Sequence, residues 1–235
     1  MHSPFVYDLI TKCFYDKTTF ETYQKLENYR TSLLKNNQNI EVTDFGAGSL
    51  KLKTKSRSIK DIARVSGSTM RLTKLMLRIS NYYKPKHILE LGTSLGVATH
   101  ALALGNPEAK ITTIEGCANV ADFTRSQFKK FGVHVEQLIG SFDQVIPDLA
   151  KNKYDLIFFD GNHQQEATIK YFNSLLATAN NNSLFIFDDI YWSKGMTNAW
   201  HHIKQHPKVT VTIDTYFWGF VFFRKEQQKE HFTIR

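Results

Sequence analysis

The chain has 235 residues, 42% of them hydrophobic and 22% charged, the composition of a globular protein rather than a disordered or fibrous one. A chain of this length buries roughly 70–75% of its unfolded surface, so it folds without a structural metal or a disulfide framework; Cys13 and Cys117 are its only cysteines, and a reducing compartment is expected. The net charge of +8 is uneven: residues 51–86 carry 11 Lys or Arg against the single acid Asp61, and the rest of the chain is slightly acidic. Such a block implies an anionic partner, whether nucleic acid, a phosphorylated or carboxylated small molecule or a lipid headgroup, or else a solvated helix face. No run approaches about 18 uninterrupted apolar residues, and the first residues lack the basic start and apolar stretch of a signal peptide. A cytoplasmic protein without a membrane span is therefore expected.

In chain order, Ser3-Pro4 is a cap and first-turn pair. Phe5, Leu9 and Cys13, with Val6, Ile10 and Phe14, recur every four residues and predict a helix with one apolar face. A second helix is predicted over about 20–34, ended by Lys35-Asn36-Asn37-Gln38-Asn39. Residues 43–56 are polar and read as a loop, and 59–83 returns to helical periodicity with one break at Ser66-Gly67-Ser68. From His87 the character changes to short apolar runs, which predict strands over 87–91, 110–114, 133–139, 154–159, 183–187, 208–214 and 216–223. Helical stretches at 95–104, 119–131, 143–151 and 164–179 separate the first five. That alternation specifies a parallel sheet between helices, and the last two strands, with almost nothing between them, must form a hairpin. The expected fold is α/β: a seven-stranded, mostly parallel sheet with one antiparallel strand in a C-terminal hairpin and helices on both faces. Residues 86–235 would form this domain, and residues 1–85 a helical extension serving as lid or substrate wall.

The strongest motif is Ile88-Leu89-Glu90-Leu91-Gly92-Thr93-Ser94-Leu95-Gly96, an apolar strand running into a glycine turn that opens a helix. In an α/β sheet such a turn lies at the carboxyl edge, where ligands bind, and glycine lets the backbone approach them. The next strand ends in Glu115, 23 positions after Gly92, and an acid there is placed to accept both hydroxyls of a ribose. The spacing E-x-G-x-x-x-G departs from the G-x-G-x-x-G of dinucleotide folds. Asp44-Phe45-Gly46-Ala47-Gly48-Ser49 looks like a second glycine loop, but it follows a weak strand, Ile40-Glu41-Val42-Thr43, and precedes a lysine-rich stretch that makes no apolar helix face. It reads as a turn or a loop lending N–H groups to an anion.

Over residues 86 to 223 these features resemble the class I S-adenosylmethionine-dependent methyltransferases, with their Rossmann-like sheet and terminal hairpin. By that resemblance Glu90, Gly92, Ser94 and Gly96 would surround the methionine part of S-adenosylmethionine, Glu115 would hold its ribose, and Gly140-Ser141-Phe142 would meet its adenine. Phe158-Phe159-Asp160-Gly161-Asn162-His163 ends the fourth strand and Phe187-Asp188-Asp189-Ile190-Tyr191-Trp192 the fifth. This pairing resembles the small-molecule O-methyltransferases of the catechol and caffeoyl-CoA type, in which acids at these strand ends bind a divalent cation. The resemblance implies a metal set of Asp160, Asp188 and Asp189, whose three carboxylates suit Mg²⁺, and a catalytic pair of Asp160 and His163. His163 stands where that group commonly carries a lysine base, and related bacterial methyltransferases have a similar D-G-x-H turn. The alternative is that Asp160 orients the cofactor, His163 is a turn residue and Asp188 caps a turn.

The implied reaction is O-methylation of a small molecule, an anionic one included, with nitrogen as the second choice of acceptor atom. A rival reading rests on residues 58–68, Ser58-Ile59-Lys60-Asp61-Ile62-Ala63-Arg64-Val65-Ser66-Gly67-Ser68, which resemble the start of a repressor-type helix-turn-helix followed by a basic helix. On that reading the partner is DNA or RNA. Against it, Ser68 and Thr73 fall where apolar residues are usual, and Leu72, Leu75, Met76 and Ile79 form a stripe suited to covering a sheet.

Overall fold

The computed structural model describes residues 3–44, 54–65 and 69–235. Its centre is an eight-stranded sheet built of β3 (His87–Leu91), β4 (Lys110–Glu115), β5 (Glu136–Ile139), β6 (Leu156–Phe159), β7 (Leu184–Asp188), β8 (Val211–Asp214), β9 (Trp218–Phe222) and β10 (Glu230–Thr233), in the order β10-β8-β9-β7-β6-β3-β4-β5. β9 alone runs against its neighbours β7 and β8. A separate two-stranded ribbon pairs β1 (Asn39–Glu41) with β2 (Ser56–Ser58).

Alternation along the central strands sorts their side chains onto two faces. Ile88, Leu156, Phe158, Leu184 and Ile186 belong to one apolar cluster, while Leu89, Ile157, Phe159, Phe185 and Phe187 belong to the other. On the first side lie α1 (Pro4–Leu9), the π-helical turn Ile10–Phe14, α4 (Met70–Tyr83) and α5 (Val97–Gly105). On the second lie α7 (Phe142–Leu149), α8 (Gln165–Leu175) and α9 (Lys194–Gln205). The N-terminal helices are thus part of the layer that covers the sheet: Phe5 meets Phe222 edge-on at 5.1 Å and Phe14 packs on Phe220 at 4.8 Å. α2 (Thr22–Leu34) and α3 (Ile59–Val65) form a third cluster with the start of α5 and with α6 (Ala118–Phe131).

Several expected strand boundaries move by one or two residues, and two strands start three residues late. β5 begins at Glu136 rather than Val133, because Gly132 turns left-handed (φ 68°) and the Val133 N–H closes the end of α6 on the Phe128 carbonyl. β8 begins at Val211 because the Val209 N–H still bonds back to His206. The eighth strand, β10, is absent from the expected seven. Its run Glu-His-Phe-Thr has one large apolar residue, and it lies parallel to β8 at the sheet's edge, where polar side chains are tolerated.

The helix-turn-helix reading does not survive packing. Its turn, 66–68, lies outside the described residues, but its second helix, α4, is buried against the sheet layer through Met76, Leu77 and Ile79. A Cβ on Gly105 of α5 would lie 2.3 Å from the Leu77 carbonyl oxygen, so the two helices approach backbone to backbone there. Several charges of the basic block also have internal work. Arg78 donates to the carbonyls of Cys13 (2.8 Å) and Phe14 (3.0 Å) at the end of the π-helical turn, Lys74 pairs with Glu27 at 2.7 Å, and Arg57 makes a two-pronged pair with Asp44. No helix among the described residues is long and apolar enough to cross a membrane.

His100 of α5 stacks on Tyr29 (4.5 Å, 13°) with both ring nitrogens buried and without a partner among the described residues. Burial, with the Lys25 charge adding, pushes its pKa down to about 4. The unfolded chain takes up this proton first, near the ordinary value of about 6.5, so folding stability falls as pH drops from about 6.5 toward 4. His100→Phe keeps the stack and removes the titration. Its urea midpoint should fall less between about pH 7 and pH 4.5 than that of the wild type; an equal fall would assign the acid sensitivity to other groups.

Candidate active site

The carboxyl edge of the sheet gathers an unusual share of strained backbone. Ser94, Asn162, Asp189 and Tyr216, in the turns after β3, β6, β7 and β8, all have left-handed φ between 46° and 75°, a conformation that non-glycine residues adopt at a cost. A cleft of about 260 Å³ opens between the β3, β4, β5 and β6 turns. Gly92, Ser94, Glu115, Ser141, Phe142 and Asp160 line it.

Glu115 ends β4 and is held from both sides: Oε2 accepts the Ser94 N–H at 2.8 Å and Oε1 the Cys117 N–H at 2.9 Å. Burial raises its pKa while these backbone donors lower it. Each oxygen keeps an unused lone pair, and Glu115 fronts the cleft, so the arrangement fits a paired-hydroxyl ligand such as a ribose. Ser141 and Phe142 open α7, with Gln144 Oε1 accepting from the Ser141 N–H and hydroxyl at 3.2 and 2.9 Å. The Phe142 ring stands edge-on to Tyr171 and offers an apolar wall.

Two residues expected in the cofactor set stand apart from the cleft. Glu90 is completely buried beneath the turn, where its Oε2 accepts the hydroxyls of Thr99 (2.5 Å) and Thr113 (2.6 Å). Thr113 gives its proton to Glu90 and so accepts from Thr93 at 2.6 Å. Burial pushes Glu90 up to about 7, the Glu115 charge adding. Gly96 caps α5 and faces α6, since a Cβ there would meet the Phe128 ring at 2.4 Å. Gly92 lines the cleft, but what forbids a side chain is the protein itself: a Cβ would lie 2.0 Å from the Asp160 carbonyl oxygen.

Asp160 ends the cleft and begins a second group. One donor atom each from Asp160, His163 and Asp188 lie within 4.8 Å of one another, with His163 Nε2 3.8 Å from Asp160 Oδ1. The indole N–H of Trp218 on β9 donates to Asp188 Oδ1 at 2.7 Å. Burial raises Asp160 to about 7, opposed by its hydrogen bond with Asp188 and helped by the Glu90 and Asp189 charges; burial raises Asp188 well above the usual range, the Asp160 charge adding; and burial lowers His163. Two buried carboxyls this close share a proton or a cation. His163 Nε2 is buried with no partner among the described residues, and a donor set of two carboxylates and one imidazole fits a divalent cation. Asp189, the third residue of the expected metal set, follows Asp188 directly with φ 52°; it is not one of the three residues whose donor atoms converge, although its charge raises the pKa of each of them.

Several neighbours carry no local sequence signal. Arg57 of the ribbon and Asp44, which it pairs with, also line the cleft, although residues 45–49 of the second glycine loop lie outside the described residues. Asn162 and Tyr171 line it beside Phe142 and bond to each other at 3.3 Å. Trp218 lies within the expected strand 216–223, and no local pattern announces that its N–H reaches an acid on another strand. Trp192 is 40% exposed with its ring 6.1 Å from His163, and Tyr216 and Phe217 are exposed nearby in the β8–β9 turn.

Residues 89–190 match a family of methyltransferase domains, Methyltransf_24. Over 126 residues, 52% of this chain, the sequence is 25% identical to a catechol O-methyltransferase of Mycobacterium tuberculosis. The match takes in 56% of that protein, so the chain spans about half the length of the curated relative it matches. In fold the chain is similar to the SAH-bound methyltransferase PaMTH1 of Podospora anserina (TM-score 0.64, 16% identity, 96% of this chain and 97% of that one). It is likewise similar to an O-methyltransferase from Bacillus cereus in complex with SAH (TM-score 0.60, 16% identity, 92% and 96%). The glycine turn and the acid-ended second strand lie inside the span that is similar to methyltransferase domains, and the fold is that of the solved methyltransferases.

Proposed function

We propose that this protein binds S-adenosylmethionine in the cleft and directs methyl transfer to an oxygen atom of a small molecule. The observation that carries the reading is the presentation of Glu115, whose two oxygens are fixed by backbone donors at the end of β4 while the residue lines the cleft. In this reading Glu115 accepts the ribose hydroxyls, Ser141 and Phe142 border the adenine, and Ser94 and the Gly92 turn face the methionine portion. Glu90 acts from behind, holding the threonines that shape the turn. When bound, S-adenosylmethionine supplies an electrophilic methyl group on a sulfonium.

The chain's own contribution is to place the acceptor and take its proton. A neutral hydroxyl is a poor nucleophile toward sulfonium, and much of the rate comes from holding it in line with the methyl–sulfur bond. Asp160 belongs both to the cleft wall and to the acid group, so Asp160, His163 and Asp188 are the residues that meet an acceptor at that end. A divalent cation held by them would lower the hydroxyl's pKa. Trp192, Tyr216 and Phe217 give this mouth an aromatic rim suited to a small, partly apolar acceptor. With acids converging here, a hydroxyl is favoured over a free anion. Cys13 and Cys117 are buried free thiols, in keeping with a reducing compartment such as the cytoplasm.

Calorimetric titration with S-adenosylmethionine tests the reading. The wild type should bind, and Glu115→Ala should lose about 1.5–3 kcal/mol, the scale of hydrogen bonds to a charged group. Absence of binding by a folded wild type, or equal affinity in the variant, would remove Glu115 from the cofactor site.

A further inference from the structure

The turn after β6 places Asp160 and His163 three residues apart, and β7 brings Asp188 alongside. Donor atoms that share one ion at roughly 2.0–2.3 Å lie about 3–4.5 Å apart, and the 3.8 Å between His163 Nε2 and Asp160 Oδ1 falls in that range. A histidine that acts as a general base is ordinarily oriented by a carboxylate on one nitrogen while the other meets the substrate. Here the Asp160 carboxylate approaches Nε2, the same buried nitrogen that has no hydrogen-bond partner among the described residues. The imidazole and the carboxylates converge on one point instead of forming a relay. Asp188, meanwhile, is fixed by the Trp218 N–H, as a carboxylate ligand is fixed by an outer partner.

We propose that His163 is a metal ligand, and that Asp160, His163 and Asp188 form a site selective for a nitrogen-accepting transition ion over Mg²⁺. The proposal deepens the methyltransferase reading, on which its role in catalysis rests. Mg²⁺ prefers an all-oxygen shell and sheds water reluctantly, whereas an imidazole suits Zn²⁺, Co²⁺ and their neighbours. Replacing the third carboxylate of an Asp160–Asp188–Asp189 set by His163 therefore changes which ion the site takes. Trp218 is a positioning residue here, acting through Asp188.

The test needs no turnover. Tag-free, full-length protein stripped of metal is titrated with Co²⁺, followed by calorimetry and by the visible d–d absorption of the bound ion, and separately with Mg²⁺. One Co²⁺ should bind per chain, at least about tenfold more tightly than Mg²⁺. His163→Ala should weaken Co²⁺ by at least about tenfold, change its spectrum and erase the preference. Trp218→Phe, which keeps the ring and removes the N–H, should weaken Co²⁺ by about 10–100-fold, while Asp189→Asn should leave it within about threefold. Mg²⁺ binding as tightly as Co²⁺, no Co²⁺ binding, or an unchanged Co²⁺ affinity in His163→Ala would overturn the proposal. S-adenosylhomocysteine binding, measured on each variant, reports folding and separates the two readings. Cofactor binding without Co²⁺ binding defeats this proposal alone, and Co²⁺ binding without cofactor binding defeats the methyltransferase reading alone.

Discussion

The site depends on one close approach between two turns. β3 and β6 lie side by side in the sheet, and just beyond their ends the chain at Gly92 turns with φ 107° so near the Asp160 carbonyl that any side chain there would collide with it. The Asp160 N–H in turn bonds to the Leu91 carbonyl at 2.9 Å. This contact joins the two halves of the chemistry. On one side the Gly92 turn leads through Ser94 to Glu115 and the cleft; on the other, Asp160 leads through His163 to Asp188. A glycine that a sequence motif assigns to ligand binding is here required first by the protein's own backbone, which explains why the two halves keep a fixed separation.

Buried carboxyls give the site its electrostatic character. Glu90, Glu115, Asp160 and Asp188 are all raised by burial, but their surroundings differ in kind. Glu115 is stabilised as an anion by backbone N–H groups, Glu90 is satisfied on one oxygen by threonine hydroxyls, and Asp160 and Asp188 face each other with only the Trp218 N–H as a fixed donor. Groups in such different settings at one sheet edge mark a functional site more strongly than any single shift. The strain in the same turns, where four non-glycine residues adopt left-handed backbone, agrees with that placement.

Much of the fold was legible because the central strands are apolar on both faces and bounded by glycine or polar turns. β3 emerges with the expected ends, His87 and Leu91, and the hairpin of β8 and β9 follows from two apolar runs with almost no linker. β10 was not legible, since an edge strand with a single, partly buried phenylalanine carries no period. In the site, the positions of Glu115, Ser141 and Asp160 could be read because strand ends in a parallel sheet share one edge. That Glu90 lies beneath the turn and Gly96 against α6 was not legible, because the motif gives order along the chain but not which face a residue takes, and strand alternation turns Glu90 toward α5. Nor was it legible which of the adjacent Asp188 and Asp189 carboxylates joins Asp160 and His163. The Arg57–Asp44 pair and the Trp218 bond join residues from different elements, and one sequence without its fold does not record such contacts.

The central claim is that this sheet edge brings a sulfonium methyl donor and a small hydroxyl acceptor together. Mass spectrometry of a small-molecule extract incubated with the protein and methyl-deuterated S-adenosylmethionine tests it most directly. The account predicts that at least one low-molecular-weight hydroxyl compound gains a single labelled methyl group, and that Glu115→Ala abolishes or sharply reduces the gain. Label appearing only in RNA or DNA added to the same incubation, with no labelled small molecule, would contradict it.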